Sequence, residues 1–361
     1  MSAVSTDVDR RSARGSVPVL KRIWRTYLVR RILRAIFVVW AVATGVFFML
    51  RLLPGNPVDV YINQQIAQYG MTYDQASSQA AGLFSFDPGT PLWRQYVDYV
   101  VNLLRGDMGM SILTPGVTVI DKIMLKLPWT LFSVGISMVI AIGLGLALGM
   151  IMAYRRGGVI DHGVSALGSV LNAIPNYLLA IMIVVIFAVQ LQWVDLGAMR
   201  GHVTPGVSLQ NNGLAFFSDI FYHASLPMIT YVLTTVGAWA LIMKSSTTQT
   251  LGEDYVTVAQ ARGLPEARIR FGYVGRNAVL PLVAQIAVQA GFVVGGAIFV
   301  EQTFSYDGVG TLLFQSIQSR DYPVIQGVLL MIIITVVVAN LIADLIYSVL
   351  DPRIRTSEVD D

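Results

Sequence analysis

Little in this 361-residue sequence could make or break a covalent bond. There is no cysteine, which excludes thiolate catalysis, disulfides and cysteine metal sites together. His162, His202 and His223, the only histidines, lie far apart with no ligand spacing and read as ordinary surface or interface residues. No HExxH, GxSxG or GxxxxGKS/T pattern occurs, and Lys244-Ser245 is a decoy because Met243 stands where glycine is required. With no nucleophile, acid pair or metal cluster at workable spacing, no catalytic or metal-binding residue is expected and the chain does not read as an enzyme.

The chemistry that remains is hydrogen bonding by uncharged amides. Asn172, Asn176, Gln285, Gln289, Gln326 and Asn340 stand in apolar surroundings, where an amide is costly unless it bonds across helices or faces water. Gln285 and Gln289 are spaced i, i+4 on one helix face and precede Gly291, Gly295, Gly296 and Ala297. Such a face could pass a polar solute without trapping it as a charge would. Gln285, Gln289, Asn172 and Asn176 are therefore the candidate translocation-path residues, with interhelical bonding and a glycine-lined helix contact as the competing readings.

The elements that hold these amides are set by composition. Of the residues, 55% are hydrophobic and 13% charged, and charge is absent from long blocks, as hydrocarbon requires. Six blocks reach span length, at 32–53, 131–153, 171–191, 226–243, 282–300 and 324–349. The fold class expected is all-α: a polytopic membrane protein with six transmembrane helices. Between Leu131 and Val300 the span interiors carry no Asp, Glu, Lys or Arg, which argues against a proton-coupled carrier.

Segments 1–31, 154–170, 244–281 and 350–361 hold 17 basic residues in 98 positions, whereas 54–130, 192–225 and 301–323 hold 6 in 134. The asymmetry places both termini in the cytoplasm. Basic residues flank spans and the net charge is only +3, so no nucleic-acid partner is expected. The tail 1–31 reads as a retained anchor flank because the apolar run after it has full span length. Segment 54–130 is long enough for a small extracytoplasmic subdomain, with a helix at 91–106 whose face Leu92, Tyr96, Tyr99, Val100 and Leu103 suits either the membrane surface or packing on its own loop.

The loop Lys244–Pro281 reads as two helices with a break. Glu253 or Asp254 suits a helix start, Gly263 a left-handed stop, and Pro265 the first turn of the next helix. Tyr255, Val258, Ala259 and Arg262 form an expected exposed stripe, fit for a partner's groove or for lipid headgroups.

Here the sequence resembles the permeases of bacterial ATP-binding-cassette importers, whose loop reads EAA, three residues, then glycine. Thr257-Val258-Ala259 and Gly263 occupy that frame, although its acidic residue and one alanine are replaced. Asp254, Tyr255, Val256, Ala259, Ala261, Gly263 and Leu264 match the dipeptide/oligopeptide pattern DYVxxAxAKGL, with Arg262 for its lysine. RLLPGNP at 51–57, GDMGMS at 106–111, LPWTL at 127–131, AIPNYLLA at 173–180, RNAVLP at 276–281, VEQTFSYDGVGTLL from Val300, RDYPVIQG from Arg320 and NLIADLIYSVLDPRIR from Asn340 follow in family order.

The resemblance implies a B-type permease subunit in a bacterial or archaeal cytoplasmic membrane. It implies a homologous second permease, two ATPase subunits that bind ATP and Mg, and an extracytoplasmic solute-binding protein as partners. This chain itself would bind no cofactor. Asp254, Tyr255, Val258, Ala259, Arg262, Gly263, Leu264 and Pro265 would form the coupling segment to an ATPase, residues 131–349 a five-helix transport core, and 350–361 a cytoplasmic tail. Short peptides are the expected solute, with oligosaccharides, nickel chelates or other small molecules as alternatives; an ion-coupled carrier or a membrane scaffold are readings from other classes.

Overall fold

A computed structural model describes residues 27–52, 57–83, 91–114 and 116–350; among them the chain is helical, with one isolated bridge between Met110 and Thr118. Most of the basic tail, part of RLLPGNP and the tail after Leu350 lie outside the described residues. Helices α1 (Tyr27–Leu52), α5 (Val119–Tyr154), α8 (Gly213–Leu251) and α12 (Tyr322–Leu350) are long and apolar enough over most of their length to cross a bilayer. The expected stretch 282–300 lies inside α10 (Arg276–Thr303), which has no charge between Arg276 and Glu301.

The expected stretch 171–191 is not one straight helix. It begins in the last turn of α6 (Val159–Ala173), breaks, and resumes as α7 (Asn176–Ile183), which passes into a π-helical segment, Val184–Gln190; the two arms meet at 101°. Pro175 is the cause, because it disfavours helical backbone at the residue before it and Ile174 is accordingly extended at φ −85°, ψ 123°.

The long helices approach closely where side chains vanish. A Cβ on Gly168 would lie 2.8 Å from the Cα of Gly237, and one on Gly149 would lie 2.4 Å from Ala240 O, so α6 and α5 both touch the backbone of α8. Lys244 of α8 pairs with buried Asp161 of α6 at 2.5 Å, which gives that cation a structural role. Helix α12 packs between α10 and α1, and α1 turns Ile36, Phe37, Trp40 and Met49 outward, as a lipid-facing helix must.

Between α1 and α5, α2 (Pro57–Tyr69) and α3 (Tyr73–Leu83) form a hairpin turned at Gly70 and closed over Tyr61, Ile62, Ala76, Ala80 and Ile112. The helix expected at 91–106 is α4 (Leu92–Leu104). It packs on α1 rather than only on its own loop: Tyr96 hydrogen-bonds Thr44 at 2.8 Å, Tyr99 stacks on Phe47, and Arg51 Nε donates to Gln95 at 3.1 Å.

Candidate functional site

The loop after α8 folds into a compact unit. Helix α9 (Asp254–Ala261) starts with Glu253 as its N-cap residue, but no side chain caps it; the Glu253 carbonyl instead accepts from Val256 N at 3.0 Å. At its other end Gly263 N–H donates to Gln260 O and Leu264 N–H to Ala259 O, the reciprocal closure that requires a left-handed residue. Gly263 supplies it at φ +71°, as its sequence position suggests. Pro265 is the N-cap of the following turn, Glu266–Arg268, rather than a member of it. That turn runs through a π-helical segment, Ile269–Gly275, into α10.

One expectation about α9 is corrected. Ala259 is buried, because with Val256 at i, i+3 it faces inward against Ile269 and Val274, with Leu251, Leu264 and Tyr273 around them. The outward stripe is therefore Tyr255, Val258 and Arg262, with Asp254, Gly263 and Pro265 also exposed and Leu264 half-buried. An outward apolar side chain on a helix braced from behind is suited to docking.

The four amides are not brought to one point. Asn172 and Asn176 flank the bend at Pro175, Asn172 exposed and Asn176 half-buried. Tyr177, next to Asn176, meets Phe299 of α10 at 5.9 Å between rings. Gln285 is exposed on the same helix but about 21 Å along its axis from Phe299, at 1.5 Å per residue. The side chain of Gln289 lies outside the described residues.

At the opposite end of the bundle, three carboxylates tie segments distant in sequence, and sequence reasoning singled out none of them. Glu301 is fully buried at the end of α10. It accepts from Thr130 Oγ1 of α5 at 2.6 Å and from Gly310 N at 2.7 Å, in the first turn of α11 (Val309–Gln318), where a helix dipole favours an anion. A Cβ on Gly308 would sit 2.3 Å from both Glu301 carboxylate oxygens. Asp307, in the following loop, pairs with Lys126 and accepts from His202 Nδ1 at 3.1 Å; His202 and Lys126 together hold its carboxyl down at about 2 against the opposing effect of burial. Asp321, before α12, is buried against Ser111 and Ile112. The available signal is position: these acids stand in VEQTFSYDGVGTLL and RDYPVIQG, segments that match the family pattern.

Among the described residues the arrangement offers a short braced helix with an outward stripe at one end, polar joints at the other, and apolar helices between. Residues 145–356 match the family described as binding-protein-dependent transport system inner membrane component. The chain is 34% identical to a putative peptide permease protein of Brucella suis biovar 1 over 92% of its own length and 99% of that protein. It is 31% identical to the di/tripeptide transport system permease protein DppB of Pseudomonas aeruginosa, covering 91% and 98%, and 29% identical to the oligopeptide transport system permease protein AppB of Bacillus subtilis, covering 91% and 99%. An all-helical chain with this order of apolar helices, matched at this length, belongs to the family of inner-membrane components of binding-protein-dependent transport systems.

Proposed function

We propose that this chain is one of two membrane-spanning subunits of an ATP-driven importer and forms half of a translocation path for short peptides. The similarity to permeases named for peptides, dipeptides and oligopeptides supports the solute class. The observation that carries the mechanism is α9, a short helix whose Tyr255, Val258 and Arg262 face outward while Val256 and Ala259 anchor it to the roots of the long helices. An ATPase subunit holding ATP and Mg would grip that stripe, and the closed turn from Gly263 through Pro265 would pass its movement to α10 as a rigid body. Asp254 and Leu264 complete the segment. A second homologous permease supplies the other half of the path, and an extracytoplasmic binding protein delivers the solute. Basic-residue asymmetry supports a cytoplasmic position for α9 and for both termini. Gln285, Gln289, Asn172 and Asn176 are the proposed path residues, with the bend at Pro175 as a movable arm.

The test is reconstitution of the permease pair with its ATPases and binding protein in proteoliposomes. Peptide-stimulated ATP hydrolysis with peptide accumulation is expected. Accumulation of a different solute would remove the peptide assignment, and transport under an ion gradient without the ATPases would remove the importer assignment.

A further inference from the structure

Beside α9 lies a cleft of about 320 Å³ whose lining includes Tyr154 at the end of α5, Gln260 of α9, Leu264, Glu266 and Arg270. The Arg270 guanidinium lies over the Tyr154 ring at 4.6 Å. Arg270 Nε and the Tyr154 hydroxyl are both enclosed where the two side chains meet, while the Arg270 side chain as a whole is 42% exposed. The nearest anion, Glu266, stands 3.7 Å from Arg270 Nη2, too far for a hydrogen bond, and its own side chain is 93% exposed. Such a surface pair contributes little. The exposed part of the guanidinium is left to water in the free subunit, and a carboxylate can take that place.

We infer that the Arg270 guanidinium, held over the Tyr154 ring, is a receptor for a carboxylate side chain of the docked ATPase, a second contact beside the α9 stripe. A carboxylate accepts from a guanidinium through two parallel bonds, which Glu266 in its present position does not provide, and Arg is suited to such a pair where Lys is not. The cleft is continuous with the docking helix, because Gln260 and Leu264 belong both to its lining and to the α9 segment. Arg262 and Arg268, both exposed beside it, add positive potential that favours an acidic partner surface. The inference rests on the proposal that an ATPase docks on α9, and it adds the chemistry of the residue that the ATPase must present.

The experiment measures the affinity of the ATPase subunits for the permease pair in nanodiscs of uncharged lipid at several salt concentrations. Replacing Arg270→Gln is expected to weaken binding about tenfold and to flatten its salt dependence. Arg270→Glu should weaken it further, Arg270→Lys should fall between parent and Gln, and Tyr154→Phe should give a smaller loss. Val258→Asp, in the stripe, is the separate probe of docking itself. If Val258→Asp abolishes binding while every Arg270 variant binds like the parent, the receptor is wrong and the docking proposal stands. If neither position matters, the docking proposal fails as well. An Arg270 effect seen only when anionic lipid is added would assign the cleft to a lipid headgroup and overturn the inference.

Discussion

The Ser111 hydroxyl donates to Asp321 Oδ2 at 2.5 Å, joining positions 210 residues apart, and Ile112 N–H donates to Oδ1 of the same carboxylate at 3.1 Å. Lys122 Nζ donates to Ser111 at 2.8 Å and stands 3.7 Å from Asp321. The loop before α5 is thereby fastened to the loop before α12. Asp321→Ala would leave the Ser111 hydroxyl and the buried Ile112 N–H without acceptors and take the counter-charge from Lys122, a loss of about 2–4 kcal/mol, whereas Ser111→Ala leaves the carboxylate in place beside Ile112 and Lys122 and should cost less, about 1–2 kcal/mol. Thermal melting of the purified subunit in detergent checks the order. Equal melting temperatures for Asp321→Ala and parent would sink it.

Glu301 and Gly308 form a lock in which the glycine exists for the carboxylate. Gly308 has an ordinary φ of −105°, so alanine there meets no backbone strain; its Cβ meets the Glu301 oxygens instead. Gly308→Ala and Glu301→Ala should each destabilise the subunit by about 2–3 kcal/mol, the first by displacement and the second by orphaning Gly310 N–H and Thr130. Removing the carboxylate makes room for the methyl, so the double variant should lose less than the sum of the two. Strict additivity in the double-mutant cycle would separate the residues.

These joints show where sequence reading stops. The order and apolar character of the long helices were legible because lipid imposes charge exclusion over a fixed length, and Gly263 was legible because a left-handed stop favours one residue type. Glu301, Asp307 and Asp321 were not legible as joints. Their partners, Thr130, Lys126 with His202, and Ser111, are set by how α5 packs against the loops at that end of the bundle, and no local spacing encodes that. The inward face of Ala259 is not legible for a related reason. An eight-residue helix offers two apolar stripes, and only the packing of Val256 and Ala259 on Ile269 and Val274 selects which one faces in.

Asp307 gives a pH dependence with a defined sign. Its carboxyl is held at about 2, below the ordinary value of about 4 for aspartate. A depressed carboxylate contributes stability that is complete above about pH 4 and is lost as pH falls toward 2. Because His202 bonds Asp307 and stacks on Trp129 at 4.1 Å, loosening of this contact should alter indole fluorescence. The difference between the parent and Asp307→Asn signals should persist down to about pH 4 and vanish below it. Asp307→Asn should show the loosened signal already at neutral pH, and a matching signal in the two proteins would remove Asp307 from the joint.

The path proposal is checked by chemical access. The sequence has no native cysteine, so Gln285→Cys and Gln289→Cys can be labelled without background. Both should react with a water-soluble thiol reagent in the assembled transporter, at rates that differ between nucleotide-free and ATP-bound states. Exposure of Gln285 in the isolated chain makes reaction there necessary but insufficient; the nucleotide dependence carries the argument. Inertness in both states at both positions would move the path elsewhere.

Gly263 tests transmission separately from docking. A Cβ added there meets no atom within 4 Å, so substitution creates no clash, and its whole cost is the left-handed backbone at φ +71°. For a β-branched residue that cost is about 1–2 kcal/mol, enough to reopen the turn that joins α9 to Pro265 but too little to unfold the subunit. Asparagine tolerates this region far better than valine. In proteoliposomes Gly263→Asn should therefore transport nearly as the parent does, whereas Gly263→Val should reach the membrane in normal amounts, support ATP hydrolysis and import fewer solute molecules per ATP. If Gly263→Val transports with the parental stoichiometry, the turn is a passive connection and the force must pass through the packed face of Val256 and Ala259 instead. If Gly263→Val also loses its ATPases, the residue belongs to docking rather than to transmission.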